Sequence, residues 1–334
     1  MAAASALSPQ QQRQMVEQGW LRLRGKLAPD ALAALQAEAS RVEDATRPAW
    51  QRHIDAGTEP EHGAGDGWGP SHHVVYPCMG ESDVFPELLA HPAIVGTLHA
   101  FMGATMVNSD NGLCIKPAQS PTHVGWHRDA PTWDSQEVGA FFAEQPAQRE
   151  FWEAHRAAAM EAPMEKIKVM IFLDDIGEKT APFSIVPGSH RLRQGEPYID
   201  AAGVEHSAAG GALREDPASM PGHITLTGQA GDILLWNGAL WHAAMDNTDT
   251  RARKLLLYNF VHWHTAWTMR PVLLRTGRTE QELEDWLQHG LIGRLGAAAA
   301  PSEALLRQLM GVALAPPEVH NAVHVKVQPA AARL

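Results

Sequence analysis

The sequence predicts a mainly β fold, a barrel or jelly roll flanked by helices, and three observations lead to this prediction. From about residue 105 to about residue 264, seven short apolar or β-branched runs alternate with turns rich in Pro, Gly, Asn and Asp, which is typical of all-β barrels. Helical periodicity is confined to the flanking segments and one interruption. A length of 334 residues, 45% of them hydrophobic and 19% charged, suits one large globular core. We therefore expect a single domain over residues 1–334.

The elements before the β region are predicted to be helices and one strand. Ser8 is the expected N-cap of a short helix that has Pro9 at its first position and ends at Gly19. The alternating segment WLRLRG, which follows, is predicted to be a strand. A second helix is expected from about residue 30 to 45, where apolar residues recur at helical spacing, and a third in the segment HPAIVGTLHAFMG.

Two further segments are predicted to be helical additions to the core. Residues from about 134 to 165 are polar, aromatic and rich in Ala, and we interpret them as a lid inserted into the β region. Residues from about 271 to 334 are expected to form a C-terminal helical extension, in which Thr279 and Glu282 fit a capping box. This extension would pack outside the barrel or against a second copy, so a monomer and a homodimer both stay open.

Composition and charge argue against several classes of partner. The chain carries 27 Lys and Arg against 38 Asp and Glu, a net charge of −11, which gives no long-range attraction to nucleic acid or to an anionic membrane. Neither a membrane-spanning apolar stretch nor a signal-peptide pattern is present, so we expect a cytoplasmic protein. Cys78 and Cys114 suit small buried residues in a reducing compartment, whereas 18 histidines favour imidazole and carboxylate as the ligands of any metal.

The segment GWHRDAPTW contains the most informative pair of residues. Since side chains alternate along a strand, His127 and Asp129 would share one face and could bind one ion, while Arg128 would point away. Taken alone, the pair is weak evidence, because a chain rich in His produces it by chance and a surface turn is the more common explanation. A third ligand is needed, and His242 near the end of a later strand can supply it.

The segment after His242 predicts a hairpin that also carries a cation. If its turn centres near Asn247 and Thr248, His242 and Arg253 lie directly opposite each other. The planar guanidinium of Arg253 could then bind the far end of a dicarboxylate whose near end chelates the metal. Arg251 shares the parity of Arg253 and stays an alternative.

Taken in order, these motifs resemble the phytanoyl-CoA dioxygenase-like branch of the iron(II)/2-oxoglutarate oxygenases. The resemblance covers residues 8 to about 264. It rests, in order, on the N-terminal helix with the strand WLRLRG, the helix HPAIVGTLHAFMG, the motif HRD, LDDI followed by IVPGSHR, the turn GDILLWNG, and a distal His with an Arg eleven residues later. Each segment alone is unspecific, whereas the ordered set is strong evidence.

The resemblance implies a fold, cofactors and a reaction. The core would be a double-stranded β-helix, the cupin-like form of the jelly roll. Fe(II) would be bound by His127, Asp129 and His242, and the C5 carboxylate of 2-oxoglutarate by Arg253. With O2 as second co-substrate, the chain would hydroxylate an unactivated C–H bond, or desaturate it or close a ring, and release succinate and CO2.

The sequence departs from the family pattern at two places. Many members have Ser two residues after the distal His, where this chain has Ala244, so another donor would have to contact the co-substrate. The Asn-Gly that commonly precedes PGSH is replaced by Thr180 and Ala181. Asp129 fills the position that a halide would need, which disfavours halogenation. His190, within PGSH, is expected to make a structural hydrogen bond.

Several residues are further candidates for the site. Lys116 and Asn108 could reach the co-substrate, while Trp133 and His264 are expected in the substrate pocket. The other tryptophans near the motifs are expected to be mostly core residues. The Trp-rich surroundings and the lid favour a small, mostly apolar metabolite, which we assign to secondary metabolism.

Two other classes of function stay open at this stage. One is a cupin-like isomerase or hydrolase that uses Zn or Mn without 2-oxoglutarate. The other is a barrel that binds a ligand without turnover. Arg253 discriminates between the first of these and an oxygenase, because only an oxygenase needs a cation for the co-substrate.

Overall fold

The computed structural model describes residues 7–57, 72–76, 78–82, 84–102, 106–129, 164, 166–192, 198–199, 203–206, 212–213 and 220–262. Its helices are α1 (Pro9–Gln18), α2 (Pro29–Ala56) and α3 (Pro92–Met102), with short 3₁₀ turns at Cys78–Glu81, Phe85–Ala90 and Ser189–Arg191. Its strands are β1 (Trp20–Leu23), β2 (His73–Val75), β3 (Met106–Lys116), β4 (Val124–His127), β5 (Lys166–Phe172), β6 (Phe183–Ile185), β7 (Tyr198–Ile199), β8 (Glu205–His206), β9 (Ala212–Leu213), β10 (Ile224–Leu226), β11 (Ile233–Asn237), β12 (His242–Ala244) and β13 (Arg253–His262).

The strands form two antiparallel sheets that pack face to face. The six-stranded sheet has the order β1-β11-β5-β13-β3-β2, and the five-stranded sheet has the order β10-β6-β12-β4-β9. Strands β7 and β8 pair only with each other. Neighbouring strands are therefore mostly distant in sequence, which is the arrangement of a jelly roll. The predicted mainly β fold class is confirmed.

The six-stranded sheet separates two apolar layers. On β5, Ile167, Val169 and Ile171 face outward and belong to the core that α2 and α3 cover. The alternate residues Met170 and Phe172 face inward and pack between the two sheets with residues of β6. This alternation with period two explains why an almost continuously apolar segment forms a strand that is buried on both faces.

The N-terminal helix begins and ends as predicted. The Ser8 hydroxyl accepts a hydrogen bond from the Gln11 backbone N–H at 3.2 Å, and the Gln11 side chain accepts one from the Ser8 N–H at 2.9 Å. Gly19 ends the helix with a φ of 79°, where a Cβ atom would lie 2.5 Å from Nδ1 of His190. His190 Nε2 lies 3.1 Å from the Val16 carbonyl oxygen. The predicted structural hydrogen bond of His190 is confirmed.

Helix α2 extends eleven residues beyond the predicted end near residue 45, to Ala56. Pro48 lies inside the helix, where its ring removes one backbone hydrogen bond. Tertiary contacts sustain the later turns, since Trp50 stacks on His73 of β2 with ring centroids 5.2 Å apart. The helix instead ends at Gly57, which has a φ of 64°.

The predicted hairpin between His242 and Arg253 is wrong. Strand β12 pairs with β4 and β6 in the five-stranded sheet, whereas β13 pairs with β3 and β5 in the six-stranded sheet. The connection between them crosses from one sheet to the other around Asn247, which is fully buried. The Asn247 side-chain amide donates hydrogen bonds to the carbonyl oxygens of Pro117 and Arg251 at 2.8 and 2.9 Å. Asn247 thus anchors a crossover, and Arg253 reaches the interior from the sheet opposite His242.

Several predictions fall outside the described residues. They concern the lid at about 134–165 and the C-terminal extension at about 271–334, and the single-domain organisation stays a prediction. Within the described part of the chain, no helix is long and apolar enough to cross a membrane. The cytoplasmic location, the absence of nucleic-acid partners and the choice between monomer and homodimer stay predictions.

Candidate metal centre

Two adjacent strands of the five-stranded sheet bring the predicted metal ligands together. His127 of β4 and His242 of β12 are register partners, and their ring centroids are 4.1 Å apart. Asp129 follows β4 on the same face, and its backbone N–H donates to the Gly238 carbonyl at 3.0 Å. Arg128 points away, as predicted, and its guanidinium donates to the carbonyl oxygen of Ala239 at 2.7 Å. The H-x-D segment is therefore a fixed strand end rather than a free surface turn.

The ligand atoms of the three residues converge on one region. One potential ligand atom of each residue lies within 4.8 Å of the other two, and His242 Nε2 is 3.4 Å from Asp129 Oδ2. Nδ1 of His127 lies 2.8 Å from the Gly125 carbonyl oxygen, and Nδ1 of His242 lies 2.8 Å from the Leu240 carbonyl oxygen. If each Nδ1 carries the proton and donates it, each Nε2 keeps its lone pair toward the common region.

The electrostatics of the cluster favour the ligating forms of its members. Burial lowers the pKa of His127, and burial together with His127 holds the pKa of His242 well below its usual value. Burial would raise the pKa of the Asp129 carboxyl, but Lys168, Lys166 and the two histidines together hold it well below its usual value. Two neutral imidazoles and one carboxylate therefore face each other.

This donor set fits iron. Two imidazole nitrogens and one carboxylate oxygen form the ligand set of mononuclear non-haem Fe(II) enzymes, and they leave further coordination positions open. Within the described ranges, it is the only group of three His, Cys, Asp or Glu residues placed to hold one ion.

Arg253 lies at the start of β13, buried between the sheets. The residue is 5% exposed, and its Nε has no hydrogen-bond partner among the described residues. Burial lowers the pKa of the Arg253 guanidinium to about 10, so the group stays charged at neutral pH. The alternative Arg251 has a 66% exposed side chain and lies 3.4 Å from Asp249. A buried cation that lacks a full set of acceptors favours Arg253 as the binder of an anion.

Lys116 is the strand neighbour of Arg253 and adds a second buried cation. It is fully buried, and its ammonium donates to the carbonyl oxygen and to the hydroxyl of Thr122, the latter at 3.1 Å. Burial and the nearby Arg253 lower the pKa of Lys116 to about 7. Two adjacent buried cations repel each other, and an anion between them would relieve this repulsion.

Asn108 does not join this pair. It lies on the same strand as Lys116 but eight residues earlier, which corresponds to roughly 26 Å along β3. Its amide donates to the Asn259 carbonyl oxygen at 2.9 Å. Asn108 and Arg253 therefore cannot bind the same carboxylate. Any contact of Asn108 with the co-substrate would be at the end of the co-substrate that lies away from Arg253.

The structure describes both positions at which the sequence departs from the family pattern, Ala244 and the pair Thr180 and Ala181. Ala244 pairs with Val124 of β4, two residues from the Thr122 hydroxyl beside Lys116. Ala181, in place of the usual Gly, has a φ of 49°, so the turn keeps the left-handed backbone that Gly favours. The Thr180 hydroxyl accepts a hydrogen bond from the Gly177 N–H at 2.6 Å, which helps to hold this turn.

Lys168 is a site residue that sequence reasoning missed. It lies on the inward face of β5, is 7% exposed, and its Nζ is 2.9 Å from Asp129 Oδ2. The sequence signal that could have identified it is the pair Lys166 and Lys168, which share one face at the start of an otherwise apolar strand.

Of the other predicted residues, Trp126, Trp236 and Trp241 are buried core residues as expected. Trp133 and His264 lie outside the described residues.

Comparison with known proteins agrees with this geometry. Residues 15–255 match the family described as phytanoyl-CoA dioxygenase (PhyH). The ectoine dioxygenase of Bordetella parapertussis is 26% identical over 272 residues, which cover 77% of this chain and 76% of that protein. The L-proline trans-4-hydroxylase of Streptomyces griseoviridis is 24% identical over 220 residues, covering 59% and 70%.

A solved structure shares the fold. The crystal structure of EctD from S. alaskensis with 2-oxoglutarate and 5-hydroxyectoine superimposes with a TM-score of 0.55 at 16% identity, over 79% of each chain.

The family match covers more than two thirds of the sequence and includes both strands that carry a proposed metal ligand, β4 and β12. It therefore favours an oxygenase over the Zn or Mn enzyme and over the binding protein considered from the sequence. The chain belongs to the phytanoyl-CoA dioxygenase family and is an iron- and 2-oxoglutarate-dependent dioxygenase, as its ordered motifs predicted.

Proposed function

We propose that His127, Asp129 and His242 bind the Fe(II) of this enzyme. The convergence of their three ligand atoms within 4.8 Å is the observation that carries the proposal. The carbonyl oxygens of Gly125 and Leu240 hold the two imidazole rings in place. Bound iron, together with 2-oxoglutarate and O2, would supply the oxidising chemistry, with succinate and CO2 as co-products.

Arg253 would bind the C5 carboxylate of 2-oxoglutarate. Its buried guanidinium presents Nε without an acceptor, and a fork of N–H donors matches a carboxylate geometrically. Lys116, which is fully buried beside Arg253, would contribute a second positive charge. Because Arg253 and His242 belong to opposite sheets, the co-substrate would span the interior between them.

The substrate would be a small, mostly apolar metabolite of secondary metabolism, hydroxylated at an unactivated C–H bond. The interior between the sheets is mainly apolar, with Met170, Phe183 and Leu257 among its buried residues, and such walls favour apolar ligands. Hydroxylation is the preferred outcome, since the similar L-proline enzyme is named as a hydroxylase. Desaturation and ring closure are the other outcomes that correct positioning of one C–H bond would permit.

Anaerobic titration tests the site without knowledge of the substrate. Addition of Fe(II) and then 2-oxoglutarate to the metal-free protein should give a visible charge-transfer band. Asp129→Ala and His242→Ala should abolish both the band and succinate formation in a screen of metabolites, because each removes one ligand. The matched control is His99→Ala, whose side chain is exposed on α3. Wild-type protein without a band, or an Asp129 or His242 variant with full activity, would refute the proposed site.

A further inference from the structure

Lys168 has an unusual environment for a lysine. It lies on the central strand β5, between Trp236 of β11 and Asn259 of β13. Its Nζ is 5.5 Å from the ring centroid of Trp236 and 2.9 Å from Asp129 Oδ2. An ammonium group this buried requires a charged partner, because desolvation of an isolated charge is costly. Among the described residues, Asp129 is its one ion-pair partner.

The contact made by Lys168 is with an atom of the metal centre itself. The same Oδ2 atom that faces Lys168 lies 3.4 Å from Nε2 of His242. The ammonium and the imidazole therefore both approach the same carboxylate oxygen. Rotation of the carboxyl group about its last bond, which is soft in a free Asp side chain, would break the ion pair.

We propose that Lys168 is a positioning residue that orients the Asp129 carboxylate toward the two histidines before the metal binds. This inference rests on the proposed role of Asp129 as a ligand. The contact is an ion pair. Residues that contact metal ligands from outside the coordination shell and orient them typically contribute about 10-fold to about 100-fold to metal affinity. Repulsion between the ammonium and a divalent ion acts in the opposite direction. The orienting effect is the larger one in this proposal, so removal of Lys168 weakens metal binding.

Lys166 provides a matched control on the same strand. It shares the face of Lys168 and also lowers the pKa of Asp129. Its stem, however, packs along the backbone at Gly238, where a Cβ atom would lie 2.9 Å from its Cδ. The ion pair to Asp129 belongs to Lys168. Lys166→Met therefore removes a nearby charge while keeping the contact under test.

Calorimetric titration of the metal-free protein with Mn(II) separates these effects without any turnover. We expect Lys168→Met to raise the Kd by about 10-fold to about 100-fold, and Lys166→Met to change it less than about 3-fold. Lys168→Arg should recover most of the affinity, because a guanidinium is also a cation that pairs with a carboxylate. The melting temperature of each variant is measured alongside, and Lys168→Gln replaces the Met variant if that variant does not fold.

Three results would overturn the inference. The first is wild-type or tighter Mn(II) binding by Lys168→Met. The second is an equal loss in Lys166→Met, which would show a general field effect. The third is unchanged Mn(II) affinity with weakened 2-oxoglutarate binding, which would make Lys168 a co-substrate contact. Failure of the proposed function is distinguishable, because His242→Ala would then bind Mn(II) as tightly as the wild type.

Discussion

Arg253→Met should weaken co-substrate binding while leaving the protein as stable as before, or more stable. The change keeps a side chain of similar length and removes a cation that is 5% exposed and whose Nε lacks an acceptor. Loss of one partner of a buried, hydrogen-bonded charge pair costs about 2–5 kcal/mol of binding. At about 1.4 kcal/mol per factor of ten, the Kd for 2-oxoglutarate should rise about 30-fold to about 4,000-fold.

The effect on stability has the opposite sign. In the absence of co-substrate, the wild type buries a guanidinium that is not fully paired, and replacement of buried charge by an apolar side chain is neutral or stabilising by about 1–4 kcal/mol. The free energy of unfolding of the metal-free variant should therefore stay constant or increase. A contact made only with the co-substrate predicts this combination, whereas a structural ion pair predicts a loss of stability.

Two measurements check this prediction. Anaerobic titration of the Fe(II)-loaded protein with 2-oxoglutarate gives the Kd, and urea denaturation of the metal-free protein gives the free energy of unfolding. Arg251→Met is the control, because that side chain is exposed beside Asp249. This variant should keep the wild-type Kd and the wild-type free energy of unfolding. Unchanged 2-oxoglutarate binding, or destabilisation by more than about 1 kcal/mol, would refute the reasoning.

Further predictions concern the second buried cation and two structural positions. Burial lowers the pKa of Lys116 to about 7 in the folded protein. Above about pH 7 the unfolded chain therefore binds more protons than the folded one. The free energy of unfolding of the wild type should then rise with pH relative to that of Lys116→Met. Urea denaturation at about pH 6.5 and about pH 9.5 checks this, and parallel pH profiles would contradict it. Gly19→Ala should lower the free energy of unfolding by at least about 1–2 kcal/mol, because of its left-handed backbone and the close approach of His190; an unchanged melting temperature would contradict this. Asn247→Ala should lower the free energy of unfolding by about 3 kcal/mol, because buried carbonyl oxygens lose their hydrogen-bond donor. The control Thr248→Ala, at an exposed position, should lower the free energy of unfolding by less than about 0.5 kcal/mol. Equal losses in these two variants would contradict the anchoring role of Asn247.

Local patterns were sufficient to predict many of the elements and much of the candidate site. The capping residues of α1 and the H-x-D spacing depend only on helix and strand periodicity, which neighbouring residues determine. Arg253 was preferred to Arg251, and burial of Arg253 supports that preference. The geometric reason given for it was nevertheless wrong, because two strands joined by a short turn need not pair. The choice of sheet for β12 and β13 depends on β6, β4, β3 and β5, which are remote in sequence.

Lys168 shows a second limit of the sequence. Two lysines at one end of an apolar strand are usually explained by solvent at the strand edge. Only the packing of β5 beneath Asp129 turns one of them into a buried ion pair. The extension of α2 past Pro48 has the same origin, since the contact between Trp50 and His73 joins segments that periodicity cannot relate.

The crossover at Asn247 has a consequence for the choice of co-substrate. The proposed metal ligands and the proposed guanidinium anchor belong to opposite sheets. The distance between the sheets would therefore set the length of the acid that can contact both. A 2-oxo diacid with one methylene fewer would be too short to contact both anchors, and one with an additional methylene would be too long to fit between them in an extended form. Length, more than charge, would then decide which 2-oxo acid the enzyme consumes.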